Sequence, residues 1–404
     1  MRVNTSTSSN SAKDPFLIIK KIVFLFGVDI RTNTRRLNVW NSKFYSLYPK
    51  CLALLWIFFI LHSITMFLWS DIWSRESITG KTSRKINDII AFSIWAILIA
   101  RRKNLYRLLK DVHTLGVDSN VQLTPQILNI GAVTILAVPL IAWMFKILLL
   151  KISDCELLAN YFLLKVFIVE NCTTWYIIAL FLSFLLYTLR TFVAVTYILI
   201  CIALRRVLMS QTTAESEMVK NLSARFDSLS FQYHLAKSES VIEVLRLFEK
   251  TLSFPIFLTE ISDLFEMFLG FTWLDSRKYI SDENSWLTRY AISTCFSSVR
   301  ASLFFLCISL AASSVHDASK KCKEVQETIL KGALISKSMV SNRNILQLLI
   351  MHQSPTFKLS AFGFFYFTKG LILTAVGSVL TYSLLIIQID SSSIAKHSQY
   401  TYFE

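Results

Sequence analysis

Apolar runs of about twenty residues recur along this chain, and no other feature restricts its fold so sharply. A helix needs roughly 20 mostly apolar residues to cross a hydrocarbon core of about 30 Å. Seven segments approach that standard: 51–69, 86–100, 127–150, 175–204, 252–273, 290–315 and 359–389. The second is short, and Glu260, Asp263 and Glu266 interrupt the fifth. A further stretch, Leu157 to Val169, contains Lys165 and is too short to span, so it reads as a helix lying at the interface. The chain is 53% hydrophobic and only 17% charged, where a soluble domain carries about 25% charged residues. The expected fold is an all-α membrane protein with seven transmembrane helices.

Positive charge sets the expected orientation. Lys and Arg number 28 in the N-terminal segment and loops 101–126, 205–251 and 316–358, against 10 in loops 70–85, 151–174, 274–289 and the C-terminal tail. The positive-inside rule then puts the N-terminus in the cytoplasm and the C-terminus outside. The net charge of +15 is thereby read as membrane topology and not as nucleic-acid binding. Residues 1–14 are polar with no apolar stretch, so no cleaved signal peptide is expected. Asn171-Cys172-Thr173 is a glycosylation sequon that this orientation exposes outside, whereas the Asn4 and Asn221 sequons face inward. Pro49, Pro125, Pro255 and Pro355 fall at or just before spans, where a missing N–H costs least.

This pattern divides the chain into a cytoplasmic segment 1–50, spans one to six with cytoplasmic loop helices over 51–315, anchor helices over 316–358, a last span 359–389 and an outer tail 390–404. Span four has about 30 residues, or ~45 Å of helix, and must protrude or tilt. Beyond it Leu222, Phe226, Leu229, Tyr233 and Ala236 repeat at steps of four and three, the seam of a helix that packs on another. Val325, Ile329, Ala333, Ile345, Leu348 and Leu349 add apolar positions to loop 316–358. A helical bundle beneath the membrane is expected; helices resting on lipid headgroups are the other reading.

Catalysis finds little support. The six histidines are scattered, no His-x-x-x-His or Cys-x-x-Cys pair occurs, and neither an enzyme nor a metal or cofactor site is expected. Cys155 and Cys172 share one outer loop, where either a disulfide or two free thiols fits. Charges inside the bilayer are site candidates by default. Asp263 and Glu266 share a helical face with Glu260 one turn back, and Arg190 and Arg300 lie in spans four and six. A carboxylate–guanidinium pair is expected between them, serving packing or ligand binding alike. Trp175, Tyr176 and Tyr290 fit an interfacial belt, Lys146 can snorkel, and Trp143 and Tyr187 lie deeper, as the wall of a small-molecule pocket would.

The last span carries the strongest signal. Gly363, Gly370 and Gly377 recur every seven residues, as at a close helix–helix contact. Thr381, Leu384, Leu385 and Gln388 form one stripe near its outer end. Threonine and glutamine are costly against lipid, so the stripe should face protein or water. Several copies around an axis would enclose a water path, which makes a homo-oligomeric pore the inference.

Thr381-Tyr382-Ser383-Leu384-Leu385-Ile386-Ile387-Gln388-Ile389 resembles the last-helix signature of insect gustatory receptors: Thr-Tyr, five hydrophobic residues, Gln, Phe. Gly363-Phe364-Phe365 resembles the Gly-Phe-Phe that opens that helix. Ile389 replaces the usual Phe, and Ser383 fills a hydrophobic position. The resemblance is specific over 355–389 and architectural elsewhere. It implies a tetrameric, tastant-gated, nonselective cation channel in the plasma membrane of sensory neurons, formed with identical or related subunits. It assigns pore and gate roles to Thr381, Tyr382 and Gln388. Ser383 stands where sugar-sensing branches often carry Glu, which favours bitter or other aversive compounds over sugars. An odorant receptor of the same fold remains an alternative. A G-protein-coupled receptor is disfavoured by the reversed orientation and the absence of Asp-Arg-Tyr and Asn-Pro-x-x-Tyr motifs, and a transporter by the lack of internal repeats.

Overall fold

A computed structural model describes residues 16–29, 39–73, 78–119, 121, 124–149, 172–221, 228–275, 286–335, 349 and 356–400. Among these residues the chain forms nine helices and one small hairpin: α1 (Leu17–Leu25), α2 (Val39–Trp73), α3 (Ile78–Ala100), α4 (Arg102–Asp118), α5 (Pro125–Leu149), α6 (Cys172–Asn221), α7 (Ser228–Asp275), α8 (Trp286–Ile335), β1 (Ser360–Ala361), β2 (Phe365–Tyr366) and α9 (Lys369–Tyr400). Four helices carry stretches long and apolar enough to cross a membrane, within Leu47–Thr65, Pro125–Met144, Phe184–Glu217 and Thr294–Lys331, and Ile86–Ala100 and Lys369–Leu385 are shorter apolar helices. The protein is therefore a multi-pass, all-helical membrane protein.

Helix α6 is the centre. Every residue from Thr188 to Tyr197 is buried, as befits a helix apolar on all sides. Helices α5, α7 and α8 pack around it, through Leu189, Phe192, Ile200, Phe248, Ile256 and Ile308. The outer faces of α2 and α5 instead expose Leu54, Phe58, Ile130 and Val133, the apolar surface that lipid would cover. Helices α6, α7 and α8 run 50, 48 and 50 residues. At 1.5 Å per residue each is ~75 Å long, over twice a hydrocarbon core, so their ends continue past the apolar zone as a bundle. Amphipathic α4 joins that bundle, with Leu105, Leu108, Leu109, Val112 and Leu115 buried and α7 as its main neighbour.

The structure corrects several expectations. The seam expected over 222–236 is not the packed face: Tyr233 and Ala236 are exposed while Leu235, Ser238, Val241, Leu245 and Phe248 are buried. Leu222 and Phe226 lie outside the described residues, as do Asn171, Cys155 and the segment 157–169. Pro125 opens α5 as expected, but Pro49 and Pro255 sit inside continuous helices, because those helices begin well before the apolar stretch. The sequence reading also misses α1, whose Phe16, Ile19, Ile22, Val23 and Phe26 are buried at helical spacing. Its end is a Schellman motif, with Gly27 at φ +76° and the Val28 N–H donating to the Val23 carbonyl at 3.3 Å.

The largest correction concerns the last span. Residues 359–368 are not helical: β1 and β2 pair antiparallel, Ser360 opposite Tyr366 and Ala361 opposite Phe365. Phe362 and Gly363, at φ +53° and +79°, occupy the left-handed region that tight hairpin turns require, and the Phe364 N–H closes the turn on the Ala361 carbonyl at 3.1 Å. Gly363 therefore belongs to a turn and not to a glycine stripe, and no heavy atom lies within 4 Å of a Cβ added at Gly377. Helix α9 starts ten residues later than expected and runs on through the region expected as an outer tail.

Candidate functional site

Two polar features stand out in the apolar part of the molecule. The first unites the charges of three long helices. Arg190 of α6 donates from Nη1 to Glu266 Oε1 of α7 at 2.6 Å. Arg300 of α8 donates from Nη2 to Glu266 Oε2 at 2.5 Å and lies 3.4 Å from Asp263 Oδ1. Glu266 thus bridges two guanidinium groups, one per oxygen, and all four side chains are buried. Tyr187 lies beneath both arginines, with its ring centroid 5.1 Å from Arg190 Cζ and 5.4 Å from Arg300 Cζ, a cation–π arrangement that strengthens where water is excluded. Its hydroxyl lies 3.4 Å from Ser297 Oγ.

Neutral residues extend this network, and nothing in the sequence singles them out. Arg190 Nη1 also donates to Ser262 Oγ, whose hydroxyl donates to Asn87 Oδ1 of α3 at 2.8 Å. Ser262 sits one turn before Glu266 on the same face. At Gly270 an added Cβ would fall 2.2 Å from the Ser298 Cβ, so this glycine permits the close approach of α7 and α8 that lets Arg300 reach its carboxylates. Glu260, expected on the same face, does not join. It is fully buried, and neither carboxylate oxygen has a hydrogen-bond partner among the described residues. Trp143 stands apart too, edge-on to Phe184 at 6.3 Å, so it contacts α6 one turn from Tyr187. The side chains of Lys146, Trp175, Tyr176 and Tyr290 lie outside the described residues.

The second feature is α9. One i, i+4 stripe of Leu371, Ala375, Val379 and Ser383 turns toward the rest of the chain, with Met267 of α7 and Ala301 and Phe305 of α8 in the cluster around Val379. Thr381, Leu384, Leu385 and Gln388 are all exposed and lie on the opposite side by helical geometry. Tyr382 is exposed as well, between the two sides. Thr381 satisfies its hydroxyl by donating to the Gly377 carbonyl at 2.8 Å. The side chains of Thr381, Leu384, Leu385 and Gln388 therefore point away from the rest of their own protomer. At its base, Lys369 pairs with Asp317 of α8 at 3.0 Å, and the hairpin stacks Phe364 on Phe257 of α7, 4.7 Å between centroids and 9° from parallel.

Neither a family model nor a curated protein sequence matches the chain. Solved structures do. The chain is similar to the insect olfactory receptor OR5 from Machilis hrabei, with a TM-score of 0.66 at 13% identity over 92% of this chain and 97% of that one. The structure of the same receptor in complex with eugenol gives a TM-score of 0.69 at the same identity and coverage. An overlay this complete at so low an identity is a statement about architecture: the protein has the fold of an insect olfactory receptor.

Proposed function

We propose that the chain is a chemosensory receptor that is itself a ligand-gated, nonselective cation channel, formed by four copies with α9 of each lining a shared pore. The observation that carries this reading is the two-sidedness of α9. Val379 and Ser383 pack on the protomer while Thr381 and Gln388 face away from it, and a threonine and a glutamine facing hydrocarbon would be costly. A water-filled axis removes that cost, with Gln388 and the adjacent leucines as the constriction. The orientation that goes with it has seven spans, a cytoplasmic N-terminus, the C-terminus outside, and Asn171 as an outer glycosylation site in the plasma membrane of a sensory neuron.

The Arg190–Glu266–Arg300–Asp263 network with Tyr187 lies among helices that would surround an outer pocket, and the eugenol complex of the olfactory receptor supports a small organic ligand. The gustatory assignment rests on the Thr-Tyr…Gln signature, and an aversive ligand on Ser383 in place of an acidic residue. Purified protein in planar bilayers tests the channel: cation currents without G protein or substrate gradient support it, and slow saturable flux sinks it. Gln388→Ala is expected to change unitary conductance or gating at unchanged surface expression. A calcium-imaging screen of sugars and alkaloids then separates the ligand classes.

A further inference from the structure

Helices α3 and α7 meet at two polar points that flank Pro255 of α7. Pro255 lies inside α7 and has no N–H, so the Thr251 carbonyl one turn earlier loses its helical partner. Thr251 is buried, and an unpaired carbonyl in such a place is rare. The Arg101 guanidinium fills the gap, with Nη1 donating to the Thr251 carbonyl at 3.3 Å and also to that of Lys250. Arg101 is the elbow between α3 and α4. Its N–H donates to the Ile97 carbonyl at 2.8 Å, and its own carbonyl accepts from the Leu105 N–H at 3.0 Å. The guanidinium is thus carried by a backbone fixed to both helices.

About four turns earlier on α3, Asn87 accepts from Ser262 and so joins the arginine network. The stretch of α7 around Pro255 also carries the hairpin that leads into α9. Phe362 packs on Phe254 at 4.5 Å, Phe364 on Phe257, and Ser360 donates to Glu249 Oε1 at 2.6 Å. These contacts tie the turn that lacks one backbone hydrogen bond to the base of α9.

We propose that Arg101 is a positioning residue for gating. It splints the proline-opened turn of α7, so that α3 and the segment under the hairpin move as one piece, and a rearrangement at the Asn87–Ser262 end reaches α9. What is transmitted rests on the channel reading; the splint does not.

The test is a double-mutant cycle on the full chain in phosphatidylcholine–phosphatidylglycerol nanodiscs: wild type, Arg101→Ala, Pro255→Ala and the double variant. Amide hydrogen exchange over 250–259 is read first. Arg101→Ala is expected to speed it by about tenfold or more, the loss of a charged hydrogen bond, and Arg101→Lys to recover part of the protection. In the Pro255→Ala background, which restores the N–H for the Thr251 carbonyl and leaves Arg101 only its bond to the Lys250 carbonyl, removal of Arg101 should speed exchange several-fold less than it does with Pro255 in place. Spontaneous openings of the same four proteins in symmetrical potassium chloride are read second. Open probability should shift in Arg101→Ala at unchanged unitary conductance, and the shift should shrink with Pro255→Ala. Exchange unaffected by Arg101→Ala, or accelerated equally in both backgrounds, overturns the splint. Unaltered openings in Arg101→Ala overturn its part in gating. A wild type that conducts nothing counts against the channel reading and against transmission to a pore, while the exchange cycle still decides the splint.

Discussion

Glu266 serves two arginines, and its loss leaves both guanidinium groups buried with, among the described residues, only the 3.4 Å contact to Asp263 as an ionic partner between them. Glu266→Gln should cost about 3–5 kcal/mol, the usual penalty for breaking a buried ion pair on one side. Replacing Glu266, Asp263, Arg190 and Arg300 together by Leu, Leu, Met and Met should cost less, because well-packed apolar side chains carry no charge to strand. Thermal unfolding in nanodiscs compares the two, and a quadruple variant weaker than the single would show that the network does more than satisfy itself. Arg190, Asp263, Glu266 and Arg300 are legible in the sequence because ionisable residues inside apolar runs are rare. Asn87, Ser262 and Ser297 are not, since neutral polar residues occur on any helix and only the fold brings Ser262 to Arg190, Asn87 to Ser262 and Ser297 to Tyr187.

Helix boundaries are harder to read than helices. The run from Leu359 to Phe367 is as apolar as α9 itself, and periodicity does not distinguish a short apolar strand from a helical turn. The positive φ at Phe362 and Gly363 leaves little trace in the sequence beyond one glycine. Two glycines that look equivalent by spacing therefore separate cleanly. Gly363→Val places a β-branched residue in the left-handed region, at a cost of about 1–3 kcal/mol. Gly377→Ala adds a methyl group to open space on a helix and should be neutral or stabilising by up to about 1 kcal/mol. Melting temperatures of the two variants decide between a turn and a glycine stripe: equal losses would restore the stripe. The three long helices show in the sequence only as separate spans and loops, because their polar continuations pack on one another through a face that Leu235 and Ser238 mark and the 222–236 pattern does not.

For the molecule as a whole, the apolar runs of the sequence carry the all-helical membrane architecture, and the chain shares the fold of an olfactory receptor over 92% of its length. A single protomer leaves Leu373, Leu380, Tyr382, Leu384 and Leu385 exposed along α9, more outward surface than one packed stripe needs. Assembly around an axis would cover part of it, and mass photometry in nanodiscs should find four copies per particle; a monodisperse single copy would remove the axis. The most direct test is cysteine scanning of 376–388 with a charged, water-soluble thiol reagent during recording. Modification at Thr381→Cys and Gln388→Cys that alters the current, with Val379→Cys and Ser383→Cys protected, is the predicted outcome. Inert cysteines at 381 and 388, or reaction at 379 and 383 instead, would contradict a water-facing stripe on α9.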